Sequence, residues 1–385
     1  MAYQFTMPGR IVIGKNALDS CETLIKGLGK KALVVSGKRV TKKGMTGVLT
    51  DYLVKWSIGF EVFQEITGEP TEEMIEAGVK AYREAECDFL VAIGGGSQLD
   101  SAKAIAAMTV LTGKISDYMG VEISGKFPPM VLIPTTAGTG SETTKFTIIT
   151  DTEKDIKMLL KGDALLPELA VLDPSFTMTA PADITASTGM DALTHAVEAY
   201  TSRKRNTLTD MYALSAIKRI FLYLRIVYTD GDNEKAREEM QLAAFEAGVC
   251  INNASVTLVH GMSRPIGALF HIPHGISNAM LIKECLAFAL DGCYERFATI
   301  ARTIGAAPDG MSEQEAAQAF LGELEKLCRH CNIPSLAEAG IRKDEFEMLV
   351  DKMAEDAMAS KSPLNTIKEV SKEDLIQIYH RLWQN

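Results

Sequence analysis

The chain has 385 residues, of which 46% are apolar and 23% charged, and its formal net charge is −10. This length predicts two domains, because single hydrophobic cores stop growing at roughly 250–300 residues. The acidic balance argues against a nucleic-acid-binding protein, which normally carries a basic face.

The N-terminal run MAYQFTMPGR lacks the charged and then apolar pattern of a signal peptide. No uninterrupted apolar run approaches the roughly 20 residues that a membrane-spanning helix needs. Seven cysteines scattered over a long chain suit a reducing compartment better than a disulfide framework. We therefore expect a cytoplasmic protein that does not bind membranes.

In the first part of the chain, short β-rich apolar runs alternate with helical patterns. One helical pattern covers 71–85 and places Ile75, Val79 and Tyr82 on one face. The candidate strands are 32–36, 89–93, 131–134 and 170–172. Such alternation predicts a mostly parallel sheet covered by helices on both sides.

After about Pro181 the pattern becomes helical, with almost no sign of strands. The predicted helices are 190–201, 208–228, 234–254, 313–330 and 372–383. The loop TMTAPADITAS, with its proline and small residues, suits a linker. We therefore predict an α/β domain over 1–182 and an all-α domain over 183–385.

A glycine-rich run, GGGS, follows the apolar run DFLVAI and opens the helical stretch LDSAKAIAAM. Such a turn between strand and helix lets backbone N–H groups approach a pyrophosphate, and the helix N-terminus adds favourable partial charge. Ser97 can cap this helix or hydrogen-bond a phosphate oxygen. Glycines alone are a weak signal, because any tight turn of this kind can use them.

A second polar run, PTTAGTGSE, follows the apolar residues 131–133. Parallel sheets bind ligands at the carboxyl ends of their strands, where this run begins. The alternative is a turn closed by side-chain hydrogen bonds to the backbone. Two such runs in one sheet favour a ligand site.

Four of the six histidines lie between His195 and His274. Asp191 and His195 are four residues apart in a helical pattern, so they share a face. His260 lies in a second helical pattern, and His274 follows it in the run IPHG. One carboxylate and three imidazoles suit Fe²⁺ or Zn²⁺, whereas calcium and magnesium prefer more oxygen ligands. Spacing alone does not show that these four residues meet.

Four runs together resemble the iron-containing (group III) alcohol dehydrogenases: GGGSQLDSAK, PTTAGTGSE, GMDALTHAVEAY and HGMSRPIGALFHIPHGISNAM. FTMPGRIVIGKNAL, Pro70-Thr71 and Asn365 also fit, and the resemblance covers essentially the whole chain. It implies an α/β dinucleotide-binding domain, an all-α metal-binding domain and an active site in the cleft between them. It also implies an NAD(P) cofactor and a divalent metal, Fe²⁺ with Zn²⁺ or another divalent ion as alternatives.

The resemblance assigns roles to individual residues. The family's metal ligands correspond to Asp191, His195, His260 and His274. Its cofactor contacts correspond to Gly95, Gly96, Ser97, Thr135, Thr136, Thr139 and Lys157. The implied reaction is hydride transfer between NAD(P)(H) and a small alcohol or aldehyde, whose oxygen is bound by the metal as a Lewis acid. We expect a homodimer or a higher homo-oligomer.

The first departure from the family's pattern is Arg264, four residues after His260, where relatives often have a second histidine. Arginine cannot relay a proton near neutral pH, but it can clamp an anionic or oxygen-rich substrate. A surface or interface arginine is the alternative. His271 is the candidate for the proton path that Arg264 leaves open.

Two more departures concern the cofactor domain. Gly37 stands after the first predicted strand, where NAD-preferring relatives tend to have an acidic residue. With no carboxylate to repel a 2′-phosphate, and with Lys38 and Arg39 adjacent, NADP becomes an acceptable cofactor. Glu69 stands where many relatives have asparagine, and the sequence does not indicate the consequence.

The substrate stays open at this stage. Short primary alcohols, diols, lactaldehyde-like compounds and charged aldehydes such as sulfoacetaldehyde all fit the predicted chemistry. A dehydroquinate-synthase-like lyase has the same overall architecture and uses NAD and a metal, but the runs GGGSQLDSAK and GMDALTHAVEAY favour the dehydrogenase. A non-catalytic binding protein is disfavoured by the complete set of candidate ligands.

Overall fold

The computed structural model of the protein describes residues 2–154 and 156–383. The chain divides into two compact units, Met1–Ala180 and Pro181–Asn385. This division comes two residues before the one drawn from the sequence, which fell between 182 and 183.

Among the described residues, the strands lie in the first unit: β1 (Arg10–Ile13), β2 (Lys31–Val35), β3 (Gly59–Phe63), β4 (Phe89–Gly94), β5 (Met130–Pro134), β6 (Phe146–Asp151), β7 (Ile156–Lys161) and β8 (Leu169–Leu172). Six of them form one parallel sheet in the order β1-β8-β5-β4-β2-β3. β6 and β7 form a separate antiparallel hairpin. The mostly parallel sheet is confirmed, and β2, β4, β5 and β8 each begin and end within one residue of the predicted bounds.

Helices cover both faces of this sheet, as the sequence predicted. They are α1 (Glu22–Lys26), α2 (Lys38–Lys42), α3 (Met45–Lys55), α4 (Glu72–Glu84) and α5 (Gly96–Met108). On β2, Leu33 and Val35 pack in a core with residues of α4 and α5, whereas Ala32 and Val34 pack in a second core with residues of α1 and α3. Because both faces are buried, the central strands are continuously apolar.

The second unit is helical, as predicted. Its helices are α6 (Ala182–Tyr200), α7 (Thr207–Thr229), α8 (Glu234–Asn253), α9 (Leu258–Phe270), α10 (His274–Ala289), α11 (Tyr294–Thr303), α12 (Glu313–His330), α13 (Lys343–Ala359) and α14 (Lys372–Arg381). In the described residues of this unit, β pairing is limited to an isolated bridge between Ser202 and Thr366.

The prediction that ADITAS belongs to a linker is wrong. α6 begins at Ala182 with Pro181 as its N-cap, eight residues before the predicted start at 190. The small residues of this stretch serve close helix packing: α10 approaches the backbone of Ser187 so closely that a Cβ added at Gly275 would lie 2.4 Å from the backbone oxygen of Ser187. This run of small residues therefore lies in a close contact between helices, which the sequence alone does not distinguish from a flexible loop.

The chain turns sharply between α8 and α9, whose axes are bent by 102°. α9 then continues through Pro265 to Phe270, although proline removes a backbone donor and usually disturbs a helix. Among the described residues, no single helix has the length and apolar character to cross a membrane; the bent pair α8 and α9 meets those criteria by length and composition alone.

Candidate active site

Three helices bring the four predicted metal ligands together. Asp191 and His195 lie one turn apart on α6, His260 lies on α9, and His274 is the first residue of α10. Oδ1 of Asp191 is 3.9 Å from Nε2 of His195, 3.6 Å from Nε2 of His260 and 3.8 Å from Nε2 of His274. Asp191, His195 and His260 are buried, and each offers one atom within 4.8 Å of the other two.

The donor set suits one first-row divalent cation. Zinc binds imidazole nitrogen and carboxylate oxygen at about 2.0–2.2 Å, which separates neighbouring ligand atoms by about 3–3.5 Å. The observed separations from Asp191, 3.6 to 3.9 Å, are slightly larger, so a small inward movement of the side chains is sufficient. One carboxylate and three imidazoles match the preference of iron or zinc.

The protonation of Asp191 and His274 favours cation binding. Burial by itself would raise the pKa of the Asp191 carboxyl, but the attraction of His195 and the hydrogen bond with His260 outweigh it and hold the pKa below its ordinary value. Desolvation lowers the pKa of His274 to about 3 against the attraction of Asp191. At neutral pH the group therefore presents a carboxylate and a neutral imidazole, the forms that bind metals.

Sequence reasoning missed two residues that contact these ligands. Glu198 on α6 accepts a hydrogen bond from Nδ1 of His260, with Oε2 at 2.5 Å. Asn278 on α10 donates from Nδ2 to Oδ1 of Asp191 at 2.7 Å. Both lie on the ligand face of their helices, Glu198 three residues after His195 and Asn278 four residues after His274, so helical spacing could have found them.

The two polar runs of the first unit meet at one edge of the sheet. β4 and β5 are neighbours, with Gly94 opposite Pro134, and α5 begins directly after β4. A Cβ added at Gly96 would lie 2.9 Å from Cγ2 of Thr139, so only glycine allows this close approach. In the chain, Thr135 and Thr136 lie between Pro134 and Thr139, and Thr135 is buried. This edge offers the N-terminus of a 13-residue helix as an anion site.

The N-cap of α5 is Gly95, and its backbone N–H donates to Oε1 of Gln98 at 3.0 Å. Ser97 lies inside the first turn, so the expectation that it caps the helix is wrong. Its hydroxyl lies in the first turn of α5, whose N–H groups would face a phosphate. The other expected role of Ser97, a hydrogen bond to a phosphate oxygen, stays a prediction.

Gly37 and Lys38 stand beside this edge at the end of β2, which neighbours β4. Gly37 is the buried N-cap of α2, and Lys38 is exposed. A Cβ added at Gly37 would lie 2.8 Å from Nε2 of Gln98, so the exit of β2 contacts the first turn of α5. Lys157 lies on β7, where its Nζ is 3.1 Å from Oε2 of Glu69.

Comparison with known proteins gives the family. The family model described as iron-containing alcohol dehydrogenase matches residues 8–174, and the model of the C-terminal region of the same family matches residues 185–383. The chain is 35% identical over 372 residues to the NAD-dependent methanol dehydrogenase of Bacillus methanolicus, covering 96% of this chain and 98% of that one. The chain belongs to the iron-containing alcohol dehydrogenase family.

Solved structures of this family have the same fold. A crystal structure of 1,3-propanediol oxidoreductase superposes with a TM-score of 0.96 at 33% identity, covering 99% of this chain and 100% of that one. The sulfoacetaldehyde reductase of Bifidobacterium kashiwanohense, solved in complex with NAD⁺, superposes with a TM-score of 0.88 at 27% identity, with 99% of each chain covered. Both are oxidoreductases, which favours the dehydrogenase over the lyase.

In this member of the family, Arg264 lies on α9 one turn after His260. Its Nη1 donates to Oγ of Ser362 at 3.2 Å, and no carboxylate of the described residues lies within 4 Å of its guanidinium. Its charge contributes to the low pKa of His274, so Arg264 acts on the ligand group through space. The guanidinium is thus a cation near the ligands that forms no ion pair with a carboxylate of the described residues.

His271 lies in the connection between α9 and α10. It caps the C-terminus of α9 with a left-handed backbone, φ 54°, and its side chain is exposed. In the described structure no hydrogen bond or ion pair joins it to the four ligands. Its expected part in a proton path stays a prediction.

Proposed function

We propose that this protein interconverts a small alcohol and its aldehyde, using NAD(P)(H) and one divalent metal ion, Fe²⁺ with Zn²⁺ or another divalent ion as alternatives. The observation that carries the proposal is the convergence of Asp191, His195, His260 and His274 from three helices. The methanol dehydrogenase named above supports the choice of substrate class and of a nicotinamide cofactor.

The chemistry divides between two sets of residues. A divalent cation supplies Lewis acidity at the substrate oxygen, and a nicotinamide supplies or accepts the hydride. Asp191, His195, His260 and His274 would hold the cation, and the carboxylate of Asp191 would offset part of its charge. The imidazole of His274, which is neutral at neutral pH, would bind without first releasing a proton.

The residues expected to hold the cofactor are those at the N-terminus of α5. The backbone N–H groups of Gly96 and Ser97 would bind a pyrophosphate together with the hydroxyls of Thr135, Thr136 and Thr139. Gly95, whose own N–H donates to Gln98, would let the pyrophosphate approach the backbone closely. Lys38 and Lys157 would contribute positive charge. Because Gly37 has no carboxylate to repel a 2′-phosphate, NADP(H) should bind at least comparably with NAD(H).

A charged aldehyde is the second candidate substrate. Arg264 has no carboxylate partner among the described residues and lies one turn from His260. A cation in this position suits an aldehyde that carries an anionic group, because a guanidinium binds carboxylates and other oxyanions in bidentate geometry. The sulfoacetaldehyde reductase named above adds support from within the family.

Metal analysis tests the proposal directly. The purified protein should contain up to one divalent ion per chain, and removal with a chelator should abolish aldehyde-dependent oxidation of NAD(P)H. His260→Ala should lose both the ion and the activity, whereas His330→Ala, which changes an exposed histidine at the end of α12, should retain both. Full activity after complete removal of metal would contradict the proposal.

A further inference from the structure

The carboxylate of Glu198 is buried without solvent contact and accepts hydrogen bonds at both oxygens. Oε1 accepts from Oγ1 of Thr257 at 2.9 Å, from the backbone N–H of Val259 at 2.6 Å and from that of His260 at 3.3 Å. Oε2 lies 2.5 Å from Nδ1 of His260. Every partner of this carboxylate lies in the first turn of α9 or at its N-cap, and His260 contributes two of them.

Glu198 therefore stabilises the start of α9. The first N–H groups of a helix lack partners within the helix, and negative charge is favourable at this end. The N-cap residue, Thr257, makes no side-chain capping bond of its own to α9. The same carboxylate that satisfies the N–H groups of Val259 and His260 also binds the imidazole of His260, so the helix start and the ring orientation are fixed together.

The hydrogen bonds also determine which ring nitrogen of His260 carries a proton. An ionised carboxylate only accepts, so Nδ1 must donate to Glu198, and Nε2 of the neutral ring then carries a lone pair. The contact at Nε2, on the opposite side of the ring, is consistent with this tautomer. Nδ2 of Asn278, an NH₂ group, donates to Oδ1 of Asp191 at 2.7 Å, and its second N–H lies within reach of Nε2 of His260 at 3.1 Å and of Nε2 of His274 at 3.3 Å. A lone pair on Nε2 of His260 is compatible with this donor, and it is what a metal ligand must present.

We propose that Glu198 is a positioning residue of the metal centre, which holds His260 in the tautomer and orientation that present Nε2 to the ion. The inference rests on the proposed function. It adds a residue outside the four ligands on which metal affinity depends. A histidine ligand held in this way by a carboxylate binds metal more tightly, and loss of such a partner typically costs 10–100-fold in affinity.

Glu198→Gln is the most informative variant because it keeps the shape of the side chain. One oxygen becomes an NH₂ group, which cannot accept. If NH₂ faces His260, Nδ1 must become the acceptor and the proton moves to Nε2, where it blocks metal binding. If NH₂ faces the other way, it confronts the N–H groups of Val259 and His260. Either orientation disturbs His260 as a ligand.

The matched control is Glu246→Gln on α8. Glu246 is also a buried glutamate of the helical unit, where it accepts from Oγ of Ser215 at 2.8 Å, and it has no contact with the four ligands. Metal-free wild type and both variants are titrated with Zn²⁺ in competition with a chromogenic chelator. Co²⁺ loading adds a visible spectrum that reports the ligand set. Thermal unfolding of the metal-free proteins measures stability separately.

We expect Glu198→Gln to bind Zn²⁺ 10–100-fold more weakly and to alter the Co²⁺ spectrum, and Glu246→Gln to match wild type in both. Equal affinity and an unchanged spectrum in Glu198→Gln would overturn the inference. A wild type that binds no metal would instead contradict the proposed function, so the two failures are distinguishable.

A measurement on wild type covers the case in which Glu198→Gln does not fold. The chain has only six histidines, so ¹⁵N-histidine NMR of the metal-free protein can read each tautomer. The signal of His260 is assigned by its loss in His260→Gln. At a pH at which the ring of His260 is neutral, a proton on Nδ1 supports the inference, and a proton on Nε2 overturns it.

Discussion

Lys157 and Glu69 form an ion pair, with Nζ of the lysine 3.1 Å from Oε2 of the glutamate. The backbone holds the two segments together: Thr150, opposite Lys157 in the β6–β7 hairpin, donates its N–H to the carbonyl of Pro70 at 2.8 Å. Both side chains are partly exposed, so the pair itself contributes only about 0–1 kcal/mol to stability. The ion pair matters for cofactor binding, because Glu69 neutralises a lysine that the family resemblance assigns to the cofactor.

Glu69→Gln should therefore strengthen cofactor binding. The variant releases Lys157 and removes a negative charge that would repel cofactor phosphates. Loss of a partly exposed ion pair of up to about 1 kcal/mol predicts a decrease of roughly 2–5-fold in the Kd of NADPH. Fluorescence titration of NADPH and NADH measures it, and added salt should reduce the difference.

Glu153→Gln is the control for this change in net charge, because Glu153 pairs with Lys114 in the same unit, at 3.5 Å. It should leave Kd nearly unchanged. Weaker cofactor binding in Glu69→Gln would show that the carboxylate contacts the cofactor itself, contrary to the prediction.

The second prediction concerns Gly37 and the choice between NAD and NADP. An aspartate there should disfavour NADP by repelling its 2′-phosphate, but the position is crowded. A Cβ would lie 2.8 Å from Nε2 of Gln98, which can move, and 3.1 Å from the backbone oxygen of Ile66, which moves less readily. The backbone conformation itself, φ −128° and ψ 153°, accepts any residue.

Gly37→Ala separates the steric cost from the charge. Relative to Gly37→Ala, Gly37→Asp should raise the ratio of kcat/KM for NAD to that for NADP by about tenfold, about 1.4 kcal/mol. Steady-state kinetics with both cofactors on all three proteins give this ratio. The same ratio in the alanine and aspartate variants would mean that no 2′-phosphate binds near Gly37.

The third prediction concerns the dependence of stability on pH. Glu142, beside the polar edge of the sheet, is buried, and its Oε2 has no hydrogen-bond partner among the described residues. Burial raises its pKa to about 7, against the opposing effects of its backbone hydrogen bond and Lys103. Between the ordinary value of 4.5 and 7, the folded protein therefore binds more protons than the unfolded chain, and stability falls as pH rises.

Ionisation of Glu142 should lower the free energy of unfolding by about 3 kcal/mol between pH 4.5 and pH 7.5. Glu142→Gln cannot titrate, so its stability should change less over this range. Urea unfolding of the two proteins at pH 5 and pH 7.5 gives the comparison. Parallel pH profiles would assign the titration to other groups.

The sequence predicted the centre of the fold better than its edges. β4 and β5 are buried on both faces and therefore read as continuous apolar runs. β1 and β3 are the edge strands of the sheet and have exposed residues, so their apolar pattern is too weak to predict a strand. Within the parallel sheet, edge position, which the linear sequence does not contain, thus decided which strands were found.

At the candidate site, residue identities were predictable but contacts were not. Asp191 and His260 lie on helices that are far apart in sequence. Only the packing of α6 with α9 brings Oδ1 of Asp191 to 3.6 Å from Nε2 of His260. The sequence also did not indicate the partner of Glu69, because Lys157 reaches it through the pairing of a hairpin with a distant loop. Motifs identify chemical groups, whereas tertiary packing decides which groups meet.

The last prediction concerns Arg264 and the substrate. Its guanidinium donates to Ser362 and has no carboxylate partner among the described residues. Burial lowers its pKa, with Glu198 opposing, yet an arginine stays protonated at neutral pH. A fixed cation one turn from His260 should bind the anionic group of a charged aldehyde.

Arg264→Leu should therefore reduce kcat/KM for a sulfonated or carboxylated aldehyde by about 1.5–3 kcal/mol, roughly 10–150-fold, because a hydrogen bond to a charged group is lost. An uncharged aldehyde of similar size should lose much less. Arg264→Lys is the matched control: it keeps the charge but lacks the planar pair of donors, so it should recover part of the preference. Steady-state kinetics of the three proteins with both aldehydes measure the difference, which isolates interactions with the anionic group from general damage to the site. Equal losses on both aldehydes would make Arg264 a structural residue of α9 held by Ser362, and the simple alcohol and aldehyde pair would then be the better candidate substrate.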